Sequence, residues 1–561
     1  MTVFSVEKAA AVCLGLLSLG LSGSLSVPFA HDGAPPIITR PAAIHQAPNS
    51  TTPLAAVVTL ETDEPAVIAV EINGAVPAIP DASPRTQHAI PVLGLRAGTT
   101  NAIVLSLIDS NGNVAYGAAR LEIETPPLPA DFPQLTTTVR NIRKMEPGVT
   151  LMMVAPSGGG SGFLLAVDDA GRVVWYHRPS RSTGDAKRMR NGNLLYIDFS
   201  DAVEIDMLGN VVQRWRTSMS ALQPGEATEV AVNPIHHELT ELPSGNLLAL
   251  SHEIRRLENY PTSETDPRAS PAATSVVGDL VVEFARDGTI VSQWSLFDIV
   301  DPFRMSYDSL AGFWDSTYST YGPTRDWSHA NSATYDPSDD SFIVSMRHQD
   351  AVIKFRRDGR LVWILGNPNR WNNPWAAYLL RPSGSLEWPF HQHAAKPTPW
   401  GTLLMFDNGN YRATPFETKR SAAETYSRAV EYKVDPQTMT VSQVWSFGGL
   451  PGDVFYSSAL GNVEMLPRTE NILITDGFRN TDAQGKATDS GTGASRWARV
   501  VEVTHETPAQ KVFELIVGDP SRTSPPGWTV YRAVRMPSLY RETTVPVWNT
   551  VDKNIFSGLF N

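Results

Sequence analysis

Residues 388–410 read WPFHQHAAKPTPWGTLLMFDNGN. The pattern is a short strand opening at His393, a Pro/Gly turn, and a second apolar strand that ends in Asp407-Asn-Gly-Asn. A strand that leaves and a strand that returns bring their free ends to one edge. His393 and the Asp407–Asn410 run therefore share a rim.

The same phrase recurs along the chain. It can be traced in Phe163-LLAVDDAGRVVWY, in Arg190-NGNLLYI with Ala202-VEIDMLGNVVQRW, and in His236-HELTELPSGNLLALSH with Asp279-LVVEFARDGTIVSQW. It returns in His329-ANSATYDPSDDSFIVSMRH with Ala351-VIKFRRDGRLVWIL, in His393-AAKPTPWGTLLMFDNG with Arg428-AVEYKVDPQTMTVSQVW, and in Asn462-VEMLPRTENILITDG with Ala498-RVVEVTHETPAQKVFEL. Six units of four strands, repeated every 40 residues or more, bury their faces on one another as β-propeller blades do. The expected fold is all-β, a six-bladed β-propeller in which the Trp residues that end strands pack between blades.

Upstream, Val57–Leu60, Val67–Ile72, and Ile103–Asp109 with Val114–Ile123 around Ser110-Asn-Gly-Asn read as short antiparallel strands. They predict a small immunoglobulin-like β-sandwich, with the Asn111-Gly112 pair as a hairpin signal. No catalytic cluster lies there, so its roles are packing, dimerisation or partly covering a site; a homodimer stays open. The chain then divides into a signal peptide (residues 1–30), the sandwich (31–125), a Pro-rich linker and lead-in (126–150), and the propeller (151–561).

The apolar run Ala9–Ala30 follows Lys8 and precedes a polar, Pro-rich segment, which is the pattern of a secretory signal rather than a stop-transfer span. With that signal removed no membrane span is expected. The lone Cys13 lies inside it, so the mature chain has no cysteine, which suits a periplasmic or secreted protein. A net charge of −12 repels phosphate backbones and argues against a nucleic-acid partner.

In a propeller, the start of each innermost strand and the end of the second face one central mouth. Those positions hold His236 or His237 and His252 in the third unit, and His329, with Asn331 close by, and Arg347 in the fourth. They hold His393 and Asp407–Asn410 in the fifth, and Asn462 and Asp476 in the sixth. His391, two residues before His393, would share its face in a regular strand.

Asp326-Trp-Ser-His-Ala-Asn-Ser, with Arg347 in Ser345-Met-Arg-His-Gln, resembles the bacterial arylsulfate sulfotransferases. So do Phe390-His-Gln-His-Ala and His252 in Leu250-Ser-His-Glu, set behind a small N-terminal β domain. The resemblance implies transfer of a sulfuryl group from an aryl sulfate donor to a phenolic acceptor through a covalent sulfohistidine, without the nucleotide donor PAPS and without a cofactor. His393 matches the nucleophile, and His252, His329 and Arg347 match the groups around the sulfuryl. Asn331, His391 and Tyr531 are the substrate-contact candidates. One departure is plain: related proteins carry a disulfide, which this mature chain cannot form.

The residue types suit the reaction on their own. Sulfuryl transfer, like phosphoryl transfer, has a loose transition state with charge on peripheral oxygens, so electrostatic clamping matters most. Arg347 offers a permanently charged fork, and a neutral imidazole is a usable nucleophile near pH 7. Nearby Arg and His residues should keep that nucleophile neutral. Either His252 or His329 could exchange the phenol's proton. Four rival readings are a hydrolase with water as acceptor, a non-enzymatic binding propeller, a metal-dependent lyase or lactonase, and a zinc site on His391, His393, His236 and His237, which lacks a completing carboxylate or thiol.

Overall fold

The computed structural model describes residues 33–541 apart from 47–48, 182, 450–451, 492 and 523–526. The apolar run expected as a signal peptide lies outside the described residues. Among those residues no helix is long and apolar enough to cross a membrane. Among the described residues helix is limited to Leu296–Ile299 and three short 3-10 turns, so the architecture is all-β.

The N-terminal unit is a five-stranded antiparallel sheet. Its organising strand, Ala55–Ile72, joins two stretches that the sequence suggested were separate. The first half pairs with Arg85–Leu93 and Ile38–Gln46, and the second half with Thr100–Asp109. The register shifts between Glu61 and Ala66 let one long strand bend across Asp63-Glu64-Pro65 and serve both sets of partners. The Asn111-Gly112 turn forms as expected: Asp109 Oδ1 accepts from the backbone N–H of Asn111 and Asn113, each at 2.8 Å.

Six further sheets of four or five strands follow. Five open on the first strands Thr183–Arg188, His236–Glu241, Ala330–Asp336, His393–Pro397 and Asn462–Met465. In the remaining sheet the edge strand is C-terminal: Gly527–Met536 pairs with Val149–Ser157. The stretch read as linker and lead-in contains another long-range pairing, because Leu135–Arg140 adds to Lys511–Val517 at the outer edge of its sheet. Its Thr137 and Thr138 side chains bond to Ala170 O and Glu514 Oε2, which holds it on both sides.

The tryptophans that end strands do more than fill space. Trp175 donates its indole N–H to Met207 O (2.9 Å), Trp215 to Arg286 O (2.8 Å), Trp294 to Arg357 O (2.7 Å) and Trp445 to Glu506 O (3.2 Å). Each acceptor sits in a turn of a different, later sheet. One residue type thus supplies a buried apolar wedge and a directional bond worth about 1 kcal/mol at four sheet-to-sheet junctions.

The first strands are tied to one another by side chains. Asn331 Nδ2 bonds Gln392 O, Lys396 Nζ bonds Asn462 Oδ1, and Asn462 Nδ2 bonds Ala533 O. Arg532 reaches Asn331 O, Glu238 and Asp185, which belong to three different first strands. These ties bring the ends of the first strands, and the histidines they carry, to one place.

Candidate active site

Three first strands break register beside their histidines. The irregularities fall between His236 and Leu239, between Ala330 and Ser332, and between His393 and Lys396. Left-handed backbone accompanies them at His237 (φ 54°), His329 (φ 43°), His391 (φ 53°) and Ala394 (φ 55°). A bulge re-aims side chains that a regular strand would send to alternate faces, and non-glycine residues hold this conformation at a cost of about 1–3 kcal/mol each.

His393 is 3% exposed. Its Nδ1 lies 2.6 Å from Asn408 Oδ1. Asn408 cannot be turned around, because its Nδ2 already donates to Ser457 O (2.8 Å) and Leu460 O (2.9 Å). Asn408 Oδ1 must accept, so His393 carries its hydrogen on Nδ1 and keeps a lone pair on Nε2. Burial first, then Arg347, His329 and Arg532, hold its pKa well below the ordinary value, against the opposing Asn408 bond. The ring is therefore neutral, with Nε2 unprotonated.

Arg347 stands on the 3-10 turn Arg347–Gln349 at the end of Ser341–Met346. Its Nη1 is 2.5 Å from His348 Nε2 and its Nη2 donates to Ser458 O at 3.3 Å. Arg347 and Asn408 are thus anchored on consecutive carbonyls, those of Ser458 and Ser457. His329 Nδ1 is 2.5 Å from Asp326 Oδ2, which leaves Nε2 as its free nitrogen. The His329 ring stacks 4.5 Å from His348 and lies 5.0 Å from both His237 and Phe313.

The third unit places its histidines in two rows. His237 is in front, half-buried, close enough to His329 and His393 to affect its own titration. Burial first, then the neighbouring His236, His329, His393 and His252 rings, hold its pKa well below the ordinary value. His236 stands behind, with Nδ1 2.8 Å from His237 Nδ1 and Nε2 3.3 Å from Asp279 Oδ1. His252 is one ring further back, stacked on His236 at 4.0 Å and bonded through Nδ1 to Tyr318 at 3.1 Å.

The remaining candidates contact the residues around these rings. Asn331 is fully buried and its amide donates to Gln392 O, next to His393. Tyr531 bonds His237 O at 2.8 Å, with its ring 6.1 Å from that imidazole. His391 is also buried, with Nδ1 2.9 Å from Asp350 and Nε2 3.4 Å from Asp308. Burial pulls its pKa down, and the two carboxylates more than offset this, so the net shift is upward.

Two triads, His236/His252/Asp279 and Asp326/His329/His348, bring three potential metal ligands together. In both, the two imidazoles lie nearly parallel, at 17° and 30°. In each triad one nitrogen of both rings faces a single carboxylate oxygen: Nε2 of His236 and His252 lie 3.3 and 3.8 Å from Asp279 Oδ1, and Nδ1 of His329 and His348 lie 2.5 and 3.4 Å from Asp326 Oδ2.

Comparison with known proteins agrees with the motifs. The arylsulfotransferase (ASST) family matches residues 136–524, and the arylsulfotransferase Ig-like domain matches residues 43–126. The chain belongs to the arylsulfotransferase family. Among curated relatives, the arylsulfate sulfotransferase AssT of Escherichia coli O6:H1 is 30% identical over 303 residues, covering 46% of each chain. The arylsulfate sulfotransferase AssT of Lelliottia amnigena is 28% identical over 300 residues, 46% of this chain and 47% of the relative. The matched segment thus spans about half the length of these relatives. A solved periplasmic gluconolactonase from Pseudomonas aeruginosa aligns at 12% identity and a TM-score of 0.29, which carries no argument.

In this member of the arylsulfotransferase family, His329, Arg347 and His393 are brought together, while His252 is set back. His237, His348, Asn408 and Asp326 belong to the arrangement although sequence reasoning assigned them no catalytic part. Asp326 and Asn408 do lie inside the quoted motifs, three residues before His329 and at the end of the hairpin opened by His393. His237 was hidden by its neighbour, since nothing in a His-His pair says which ring a bulge will turn forward.

Proposed function

We propose that this protein transfers a sulfuryl group from a phenolic sulfate ester to a phenolic acceptor by a two-step exchange through a sulfohistidine on His393, without PAPS. The six sheets are then the blades of a closed six-bladed propeller, and the protein works outside the cytoplasm. The reading rests above all on the Asn408 bond, which leaves His393 Nε2 unprotonated beside an arginine.

In the first step His393 Nε2 attacks sulfur and the sulfur–aryl oxygen bond breaks. Arg347 carries the charge on the peripheral oxygens. The departing phenolate takes a proton from His329 Nε2, and the Asp326 carboxylate stabilises the imidazolium that gives it. In the second step an acceptor phenol returns its proton to His329 as its oxygen attacks sulfur and the N–S bond breaks. Proton and sulfuryl group are both conserved, and His237 lines the same space.

The test is incubation with a chromogenic aryl sulfate and no acceptor, followed by mass spectrometry of the peptide holding His393. One added sulfuryl group on that histidine is expected. An unmodified peptide despite turnover removes the covalent route, and phenol release that added phenol does not accelerate points to a hydrolase.

A further inference from the structure

His348 is buried, and the mechanism above gives it no task. Its Nδ1 faces Asp326 O at 2.8 Å and Asp326 Oδ2 at 3.4 Å. Both are acceptors, so the ring hydrogen is on Nδ1 and Nε2 holds a lone pair. That lone pair lies 2.5 Å from Arg347 Nη1, and a guanidinium has only hydrogens to offer.

The choice of partner matters. Arginines are ordinarily held by carboxylates, which fix the fork and also neutralise it. Here the nearest carboxylate, Asp308, is 3.9 Å away, whereas the close partners are an imidazole and the Ser458 carbonyl. A neutral acceptor fixes the guanidinium and leaves its charge free for an incoming anion.

The backbone ties both residues to consecutive carbonyls. Arg347 N–H donates to His329 O at 3.2 Å and His348 N–H to Ser328 O at 3.1 Å. The His329 and His391 rings lie 4.5 and 5.9 Å from the imidazole and flank it.

We propose that His348 is the positioning residue of Arg347, a neutral acceptor that aims the guanidinium at the sulfuryl oxygens without quenching its charge. The proposal rests on the reading of Arg347 as the anion clamp. Burial, then His329 and Arg347, keep the His348 pKa well below the ordinary value, in keeping with an unprotonated Nε2.

The experiment compares kcat and KM for a chromogenic aryl sulfate in R347A, H348A, the double variant, H348Q and H348E. H348A should lose about 100-fold in kcat/KM. H348Q, whose amide oxygen replaces Nε2, should recover to within about tenfold of the parent. H348E should stay low, because its carboxylate holds the guanidinium but neutralises it. In the R347A background, adding H348A should change kcat/KM by less than twofold. An equal loss from H348A with and without Arg347 overturns the proposal, as does H348E matching H348Q. Where H348A does not fold, the glutamine and glutamate variants alone decide it. A fully active R347A instead overturns the assignment of Arg347 beneath it.

Discussion

Asn408 takes the Nδ1 hydrogen of His393 at 2.6 Å, and both hydrogens of its own amide are committed to the carbonyls of Ser457 and Leu460. This orientation selects the tautomer of the proposed nucleophile from outside the ring. Asn408→Ala should lower kcat about 10- to 100-fold with a smaller change in KM, since the ring loses its tautomer and its aim while the sulfuryl clamp remains. Asn408→Asp should move the acid limb of the kcat/KM profile to higher pH, because a carboxylate raises the imidazole pKa and depletes the neutral form. Steady-state rates from pH 5 to 8 check both; an unmoved acid limb in the aspartate variant would sink the assignment.

Stability should fall as the pH drops below about 6.5. Burial is the leading cause that holds His237, His252, His348 and His393 well below the ordinary histidine value, and it lowers His177 to about 4. Below 6.5 the unfolded chain binds protons that the folded chain refuses, so each such histidine can cost up to about 1.4 kcal/mol per pH unit until its folded pKa is reached. For His177 the window runs from 6.5 down to about 4. His391 runs the other way: its raised pKa gives a contribution that is full below 6.5 and lost as pH rises through the folded value. Urea midpoints at pH 7.5, 6.5, 5.5 and 4.5 should decline at the acid end. A constant midpoint between 6.5 and 5 contradicts the prediction.

The sequence was most informative where chemistry and turn signals coincide. Asp-Gly and Gly-Asn turns between apolar runs marked the antiparallel pairs, and the His329 and His393 motifs pointed to residues that do meet. What escaped was set by long-range pairing and by bulges. Leu135–Arg140 is rich in threonine and valine, yet its partner, Lys511–Val517, lies more than 370 residues on, and the prolines before it read as a linker. Gly527–Met536 likewise finds its partner at Val149–Ser157, at the other end of the chain. The His236 register break decides which of the two neighbours faces forward, a choice that period-two reasoning leaves open.

Arg532 should be a stability determinant as well as a neighbour of the site. It is 2% exposed and donates to Glu238 at 3.1 Å and to Asn331 O at 2.8 Å, with Asp185 at 3.0 Å. Replacing it with methionine would leave buried carboxylates short of a cation, and breaking a buried pair from one side costs about 3–5 kcal/mol. Chemical denaturation of Arg532→Met should register that loss, and adding Asp185→Asn should recover part of it. Unchanged stability in the single variant would show that Lys187, within 3.1 Å of Asp185, satisfies the acids alone.

His237 and His252 make opposite predictions about the third unit. A direct role for His252 requires its ring to reach the reacting atoms, but it stacks behind His236, with Nδ1 on Tyr318 and Nε2 3.8 Å from Asp279. His237 instead touches the His329 ring, and burial with His236, His329 and His393 around it keeps it neutral. His237→Gln should therefore lower kcat about tenfold or more, through lost positioning beside His329. His252→Gln should cost less than about tenfold in kcat and lower stability by about 1–3 kcal/mol, the penalty for disturbing a buried hydrogen-bonded group. Single-turnover rates separate the two, because they report on sulfuryl transfer without product release. The larger loss in His252→Gln would return that residue to the reacting atoms and require the two rows of imidazoles to rearrange when substrate enters.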